Sequence, residues 1–130
     1  MILSEPRKTG INNGTITFDK EIIKGNLIAH KINTNKLYLI VKDAKNYLYL
    51  IKDNKITKQI EIIMDSPKAI SLCNNSIIIG GSNNNNMSIE KYDETLLLLD
   101  NINYIGNGMQ MCNQLICIDG YIYVGGIKDA

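Results

Sequence analysis

Few residues in this chain have the type and spacing that catalysis or metal binding requires. The single histidine, His30, lies within an apolar strand pattern, where a structural role is far more common than general-base catalysis. The cysteines are Cys73, Cys112 and Cys117, and a C-x4-C pair with one distant cysteine does not match a zinc motif. We therefore expect three free, buried thiols in a reducing compartment, no metal site and no catalytic residue.

Two glycine pairs could pass for ligand-binding loops. Gly80-Gly81 and Gly125-Gly126 each follow an apolar run, but neither opens a helix, so a phosphate-binding loop is not indicated. At the end of a strand, glycine lets the backbone turn or lets a neighbouring sheet approach closely. The sequence thus predicts a non-enzymatic protein that needs no cofactor.

The composition narrows the classes of partner. The 130 residues suffice for one domain, and 14 basic against 13 acidic side chains give a net charge of +1, which does not indicate a nucleic-acid surface. No run reaches the roughly 18 to 20 apolar residues of a membrane helix, and the start MILSEPRKTG lacks the apolar core of a signal peptide. We expect an intracellular, cytoplasmic protein without membrane contact.

Short apolar runs separated by turn residues predict an all-β fold, because no run has helical periodicity. Two central units each contain four predicted strands: Leu27–Ile32, Leu37–Val41, Tyr47–Ile51 and Ile56–Ile62, then Ala69–Cys73, Ile77–Ile79, Met87–Tyr92 and Leu96–Leu99. Before them Thr15–Ile22 is predicted as one strand, and after them Met109–Ile118 and Tyr121–Val124 form a hairpin around Asp119-Gly120.

The chain resembles itself at a regular spacing. A shift of 40 places residues 16–23 on 56–63 with five of eight identical, and it also places Ala29 on Ala69. A shift of 45 places Gly80-Gly81 on Gly125-Gly126. After an N-terminal segment at 1–14, we therefore divide the chain into repeat units at about 15–25, 26–65, 66–105 and 106–130.

Four-stranded units of this length are typical of β-propeller blades. The segment Ile77-Ile78-Ile79-Gly80-Gly81, followed by a polar loop and Tyr92, resembles the kelch repeat, and Tyr121 to Gly126 resembles its strand pair. The period of 40 is similar to that of WD40 repeats, which is the second interpretation. About three blades can be counted, which favours a partial propeller, half of an oligomeric ring, or part of a longer chain.

The kelch resemblance implies a protein–protein interaction or scaffold module. The alternatives are a divergent WD40-type scaffold subunit and a small sugar-binding or hydrolytic propeller. In a propeller, the loops between second and third strands share one rim, and loops on a rigid scaffold commonly carry binding. The candidate partner-binding residues on these loops are Lys42, Asp43, Lys45, Ser82, Asn83, Asn84, Lys128 and Asp129. The expected partners are proteins, including a second copy of the chain.

Overall fold

The computed structural model describes residues 9–12, 15–18, 21–104 and 109–128. These residues confirm the all-β prediction, since they form thirteen strands in four antiparallel sheets and contain no helix. Within the same ranges, no helix has the length and apolar character needed to cross a bilayer. The chain divides into two compact units, Met1–Glu61 and Ile62–Ala130.

The first unit contains a three-stranded and a four-stranded sheet, in which strands that neighbour in sequence also pair in space. The strands of the three-stranded sheet are β1 (Thr9–Asn12), β2 (Thr15–Phe18) and β3 (Glu21–Lys24). Those of the four-stranded sheet are β4 (Asn26–Asn33), β5 (Lys36–Lys42), β6 (Asn46–Lys52) and β7 (Lys55–Glu61).

The core of the first unit lies between these two sheets. Ile16 and Ile23 of the three-stranded sheet share one apolar cluster with inward side chains of the four-stranded sheet, namely Leu37, Leu39, Val41, Tyr49 and Ile51. Because side chains alternate along a strand, Tyr38 and Ile40 point to the opposite face of β5, and they are also fully buried. Both faces of β5 are therefore removed from water.

The prediction of a single strand at Thr15–Ile22 was wrong, because β2 and β3 are separate strands that pair with Ile16 opposite Ile23. A single strand would put these two residues on opposite faces, whereas the hairpin buries both on one face. Residues 16–23 therefore span a strand pair, whereas the matching residues 56–63 lie mostly in one strand, β7. The sequence match does not mark a shared structure.

The second unit contains a four-stranded and a two-stranded sheet. The strands of the four-stranded sheet are β8 (Ser66–Cys73), β9 (Ser76–Asn83), β10 (Asn86–Tyr92) and β11 (Leu98–Tyr104). Those of the two-stranded sheet are β12 (Met109–Ile118) and β13 (Tyr121–Lys128). The boundaries of the repeat units themselves stay a prediction.

The strand predicted at Leu96–Leu99 lies later in the chain, at β11. Asp93 Oδ1 accepts hydrogen bonds from the backbone N–H groups of Thr95, at 2.8 Å, and Leu97, at 3.0 Å. Leu96 has a φ of 67° and is buried, so it belongs to the turn rather than to a strand. This side-chain-capped turn delays the strand by two residues, a local effect that apolar patterning does not reveal.

The expectation of three free thiols was also wrong. Cys73 of β8 and Cys117 of β12 form a disulfide that joins the two sheets of the second unit, across a sequence separation of 44 residues. Cys112 is free and buried, and burial raises the pKa of its thiol to about 11, because the thiolate is poorly solvated there. With two cysteines oxidised, the cysteines no longer indicate a reducing compartment.

One irregular hairpin occurs three times in the chain. The first strand bulges between Leu27 and Ala29 in β4–β5, and β8–β9 and β12–β13 bulge at the corresponding steps, Pro67 to Ala69 and Cys112 to Gln114. Successive bulges are 40 and 45 positions apart, as in the sequence comparison. A bulge at a fixed register is a specific feature of a strand pair, so this hairpin is the recurring structural element.

The glycine pair of the second hairpin lies inside β9, with two strand residues after it, and not at the end as predicted. A Cβ on Gly81 would lie 2.1 Å from the carbonyl oxygen of Ser66, beside the bulge. A Cβ on Gly80 would lie 2.5 Å from Cys112 Sγ of β12. Glycine is needed here because the backbone of β8 and the neighbouring sheet come too close for a side chain.

Candidate partner-binding loops

The first candidate loop connects β5 to β6 in the first unit. Lys42 ends β5, and Asp43 and Lys45 are exposed in the loop, where the Asp43 N–H donates to the Lys45 carbonyl at 2.8 Å. Lys45 Nζ lies 3.3 Å from Glu61 Oε1, with both side chains more than half exposed. Such an exposed ion pair contributes at most about 1 kcal/mol, so this pair holds the loop only weakly.

Two tyrosines stand beside this loop. The rings of Tyr47 and Tyr49 meet edge to face with their centroids 6.4 Å apart. Burial raises the pKa of Tyr49 above its usual value of 10.0, and the charges of Tyr47 and Asp43 add to the effect. An aromatic pair therefore lies near the charged residues of this loop.

The second candidate loop connects β9 to β10 and is shorter than predicted. Asn84 and Asn85 have φ values of 52° and 65°, which is the two-residue turn that matches strand twist in a hairpin. Because the turn needs only these two residues, β9 continues through Ser82 and Asn83. The prediction that Ser82 lies in an exposed loop was wrong, since its side chain is buried within the strand.

Asp65 fastens this turn to the segment that precedes β8. The Asp65 N–H donates to Asn83 Oδ1 at 3.3 Å, and the Asn84 N–H donates to Asp65 Oδ2 at 3.0 Å. The Asn86 side-chain amide donates to the Asn84 carbonyl at 3.4 Å. Backbone and side-chain bonds thus fix the turn on two sides, while Asn84 itself remains exposed.

Sequence analysis missed a buried carboxylate on β10, the strand that follows this turn. Glu90 is fully buried on β10, and its Oε2 accepts the Met64 N–H at 2.7 Å. Its Oε1 accepts the Ile63 N–H at 3.3 Å and the Tyr92 hydroxyl. Burial, followed by the hydrogen bond to Glu90 and the charge of Glu90, raises the pKa of Tyr92 well above its usual range.

The sequence did hold a signal for this cluster. Glu90 and Tyr92 are two positions apart on a predicted strand, so they share a face, and the intervening Lys91 points to the other side. Tyr92 on the same face offers this carboxylate a hydrogen-bond donor, which is the local signal in the sequence. Its partners could not be foreseen, because Ile63 and Met64 lie 26 or 27 residues away.

The third candidate loop is part of a strand as far as the structure describes it. Lys128 is the last residue of β13, with its Cα opposite Met109, and Asp129 lies outside the described residues. The structure brings Asn83 and Asn84 together around Asp65 in the second unit. In the first unit, Lys42 ends β5, and Asp43 and Lys45 lie in the loop that follows it.

Other chemistry expected or excluded from the sequence can be placed as well. His30 lies on β4 as predicted, but it is exposed. Among the described residues, no group of three or more His, Cys, Asp or Glu side chains is arranged to hold a metal ion. Compared with known proteins, the sequence matches no family model and no curated protein.

Proposed function

We propose that this protein is a non-enzymatic interaction module of β-propeller type that contacts a protein partner through the β9–β10 turn. Support for the architecture comes from consecutive antiparallel strands in four-stranded sheets and from the thrice-repeated bulged hairpin. Propellers are built by repeating one such four-stranded unit, which makes this class the natural proposal. The kelch-like and WD40-like versions share this scaffold role.

The observation that carries the proposed function is the fixed conformation of the turn at Asn84-Asn85. Asp65 bonds to both Asn83 and Asn84, and the residue before Asp65, Met64, is bonded to the buried Glu90. A loop that is already ordered loses little conformational entropy when a partner binds, so more of the contact energy appears as affinity. The exposed amides of this turn offer donors and acceptors to a polar partner surface.

The Glu90–Tyr92 pair supports a structural role more than a catalytic one. Both side chains are buried, with exposures of 0% and 1%, and the Glu90 oxygens are occupied by hydrogen bonds from within the unit. A general acid or base must come within hydrogen-bond reach of a substrate. These two side chains hold the segment before Asp65 in place, and through it the turn.

Site-specific crosslinking tests the proposal with a built-in control. Asn84-Asn85 and Asn74-Asn75 are identical dipeptides in similar turns at opposite ends of β9. A photoreactive residue placed at Asn85 is expected to crosslink a discrete protein in extract from the native source, and one at Asn75 is expected to crosslink none. Equal labelling from both turns, or labelling from Asn75 alone, would overturn the assignment of this end of the sheet.

A further inference from the structure

The β12–β13 sheet has an uncovered apolar face. Its four large side chains are Ile116, Ile118, Tyr121 and Tyr123, which are 55%, 49%, 71% and 55% exposed and which we call the outer face. They form two cross-strand pairs, Ile116 with Tyr123 and Ile118 with Tyr121. The opposite face carries Leu115, Cys117 and Val124 and packs against the core of the second unit. One side of this sheet is thus buried and the other is not.

In the preceding hairpin, β8–β9, the face that corresponds to the outer face is covered by another sheet. At the shift of 45, the pair Ser71–Ile78 of β8–β9 corresponds to Ile116–Tyr123 of the outer face. Ile78 is fully buried in the cluster that packs against β12–β13. In this repeat, therefore, this face of one sheet is covered by the next sheet.

A complementary uncovered face exists at the other end of the sequence. In the β1–β3 sheet, Ile16 and Ile23 point into the core of the first unit, while Ile22 points to the other side and is 62% exposed. Thr17 lies opposite Ile22 across the β2–β3 pair. The β1–β3 sheet thus leaves Ile22 exposed on the side that the four-stranded sheet does not cover, with the exposed Lys24 on the same side at the end of β3.

The outer face itself carries no charged side chain, which favours association. From Gln114 to Ile127 the only charged residue is Asp119, which is in the β12–β13 turn. Exposed apolar patches without charge are typical of association surfaces rather than of ordinary solvated surface. A nucleic acid or a strongly charged protein would find no counter-charge on the outer face.

We propose that the outer face binds a second copy of this chain, which docks the Ile22 side of its β1–β3 sheet. The contact is head to tail, because the two faces differ, and it repeats between copies the sheet-on-sheet packing already present within the second unit. It does not depend on the β9–β10 turn, so it holds whether or not that turn binds a protein.

Light scattering of the intact, oxidised chain at concentrations up to about 100 μM tests this proposal. We expect a mass that rises with concentration above the 14.6 kDa of one chain. Tyr123→Lys and Ile22→Lys should each weaken association about tenfold or more, because each buries a charge in the contact. Leu99→Lys is the matched control, since Leu99 is an equally exposed apolar residue on β11, and it should change nothing.

Mixing the two variants separates this contact from other arrangements. A Tyr123→Lys chain keeps its Ile22 side and an Ile22→Lys chain keeps its outer face, so a head-to-tail contact predicts one-to-one dimers in the mixture. A symmetric contact between two outer faces would be insensitive to Ile22→Lys, and this result would overturn the proposal. A wild-type chain that stays monomeric throughout would overturn it as well.

Discussion

The two units contain the same bulged hairpin but hold the following loop in different ways. In the first unit, three residues join β5 to β6, and Lys45 of this loop forms an exposed ion pair with Glu61 at 3.3 Å. In the second unit, two residues join β9 to β10, and Asp65 bonds to Asn83 and Asn84 on either side of the turn's start. A shared strand ladder therefore does not determine how firmly a loop is fixed.

The difference between the two loops arises from the side-chain interactions that hold them. In the second unit, a continuous path runs from the buried Glu90 to Met64, then along the chain to Asp65 and on to Asn84. Hydrogen bonds to a buried carboxylate are among the stronger ones in proteins, whereas an exposed ion pair is screened by water and salt. The second unit also has the disulfide, and all three cysteines of the chain lie in it.

Loss of the disulfide should have the largest effect. The Cys73–Cys117 link closes a loop of 44 residues, for which chain-entropy arguments give a stabilisation of about 4 kcal/mol. We expect Cys73→Ser/Cys117→Ser, or reductant, to lower the free energy of unfolding measured in urea by about this amount. The double variant is also the control, because reductant should not change its stability. If reductant left the urea midpoint of the wild-type chain unchanged, the Cys73–Cys117 disulfide would be contradicted.

Removal of the buried carboxylate should rank second. Glu90→Ala leaves the Ile63 and Met64 N–H groups without their acceptor, and we expect a loss of about 3 kcal/mol. Glu61→Ala in the first unit is the matched control and should cost less than about 1 kcal/mol, because its ion pair is exposed. Comparable losses for the two variants, measured by urea unfolding, would remove the asymmetry between the units.

The raised pKa of Tyr92 predicts an alkaline loss of stability. In the unfolded chain the phenol ionises near 10.0, whereas in the folded chain it stays protonated to higher pH. The folded state thus binds more protons above this value, and its stability falls as pH rises. From pH 9 to 11 we expect this group to account for a loss of about 1.4 kcal/mol.

Tyr92→Phe isolates this contribution. The variant should be less stable at pH 7 by about 1 to 2 kcal/mol, through loss of the hydrogen bond to Glu90, but its stability should fall less steeply above pH 10. Cys112 also titrates late, at about 11, but it is present in both proteins and cancels in the difference. Parallel pH profiles for the two proteins would show that Tyr92 is not held in its neutral form.

The smallest predicted effect concerns the turn itself. Asn85 has a φ of 65°, a conformation that glycine adopts without strain. Asn85→Gly should therefore be neutral or stabilise the protein by up to about 0.5 kcal/mol, while Asn85→Val should cost about 1 to 2 kcal/mol. If Asn85→Val were tolerated without loss of stability, the turn would not depend on a positive φ at residue 85.

Apolar patterning predicted most of the fold, because buried strands determine it. The four strands from Leu27 to Ile62 and the three from Ala69 to Tyr92 were placed within a few residues, since each apolar run is bounded by turn residues with a clear preference for positive φ. The kelch-like assignment stays a prediction.

The errors occur where a distant or side-chain interaction decides the structure. Ser82 was placed in a loop because an Asn-rich run suggests a long turn, but two residues complete it. The Asp93-capped turn displaced β11, and the Cys73–Cys117 disulfide joins strands that no local pattern connects. The Glu90 cluster likewise depends on backbone groups far away in sequence, which explains why the best-anchored part of the candidate site was missed.

Affinity for a crosslinked partner tests the central claim most directly. Asn84→Ala and Asn74→Ala each replace an exposed asparagine at a positive φ, of 52° and 48°, so their backbone costs are similar and cancel in a comparison. The account predicts that Asn84→Ala raises the dissociation constant about tenfold, whereas Asn74→Ala leaves it unchanged. Weaker binding by Asn74→Ala, with Asn84→Ala unchanged, would contradict binding through the β9–β10 turn.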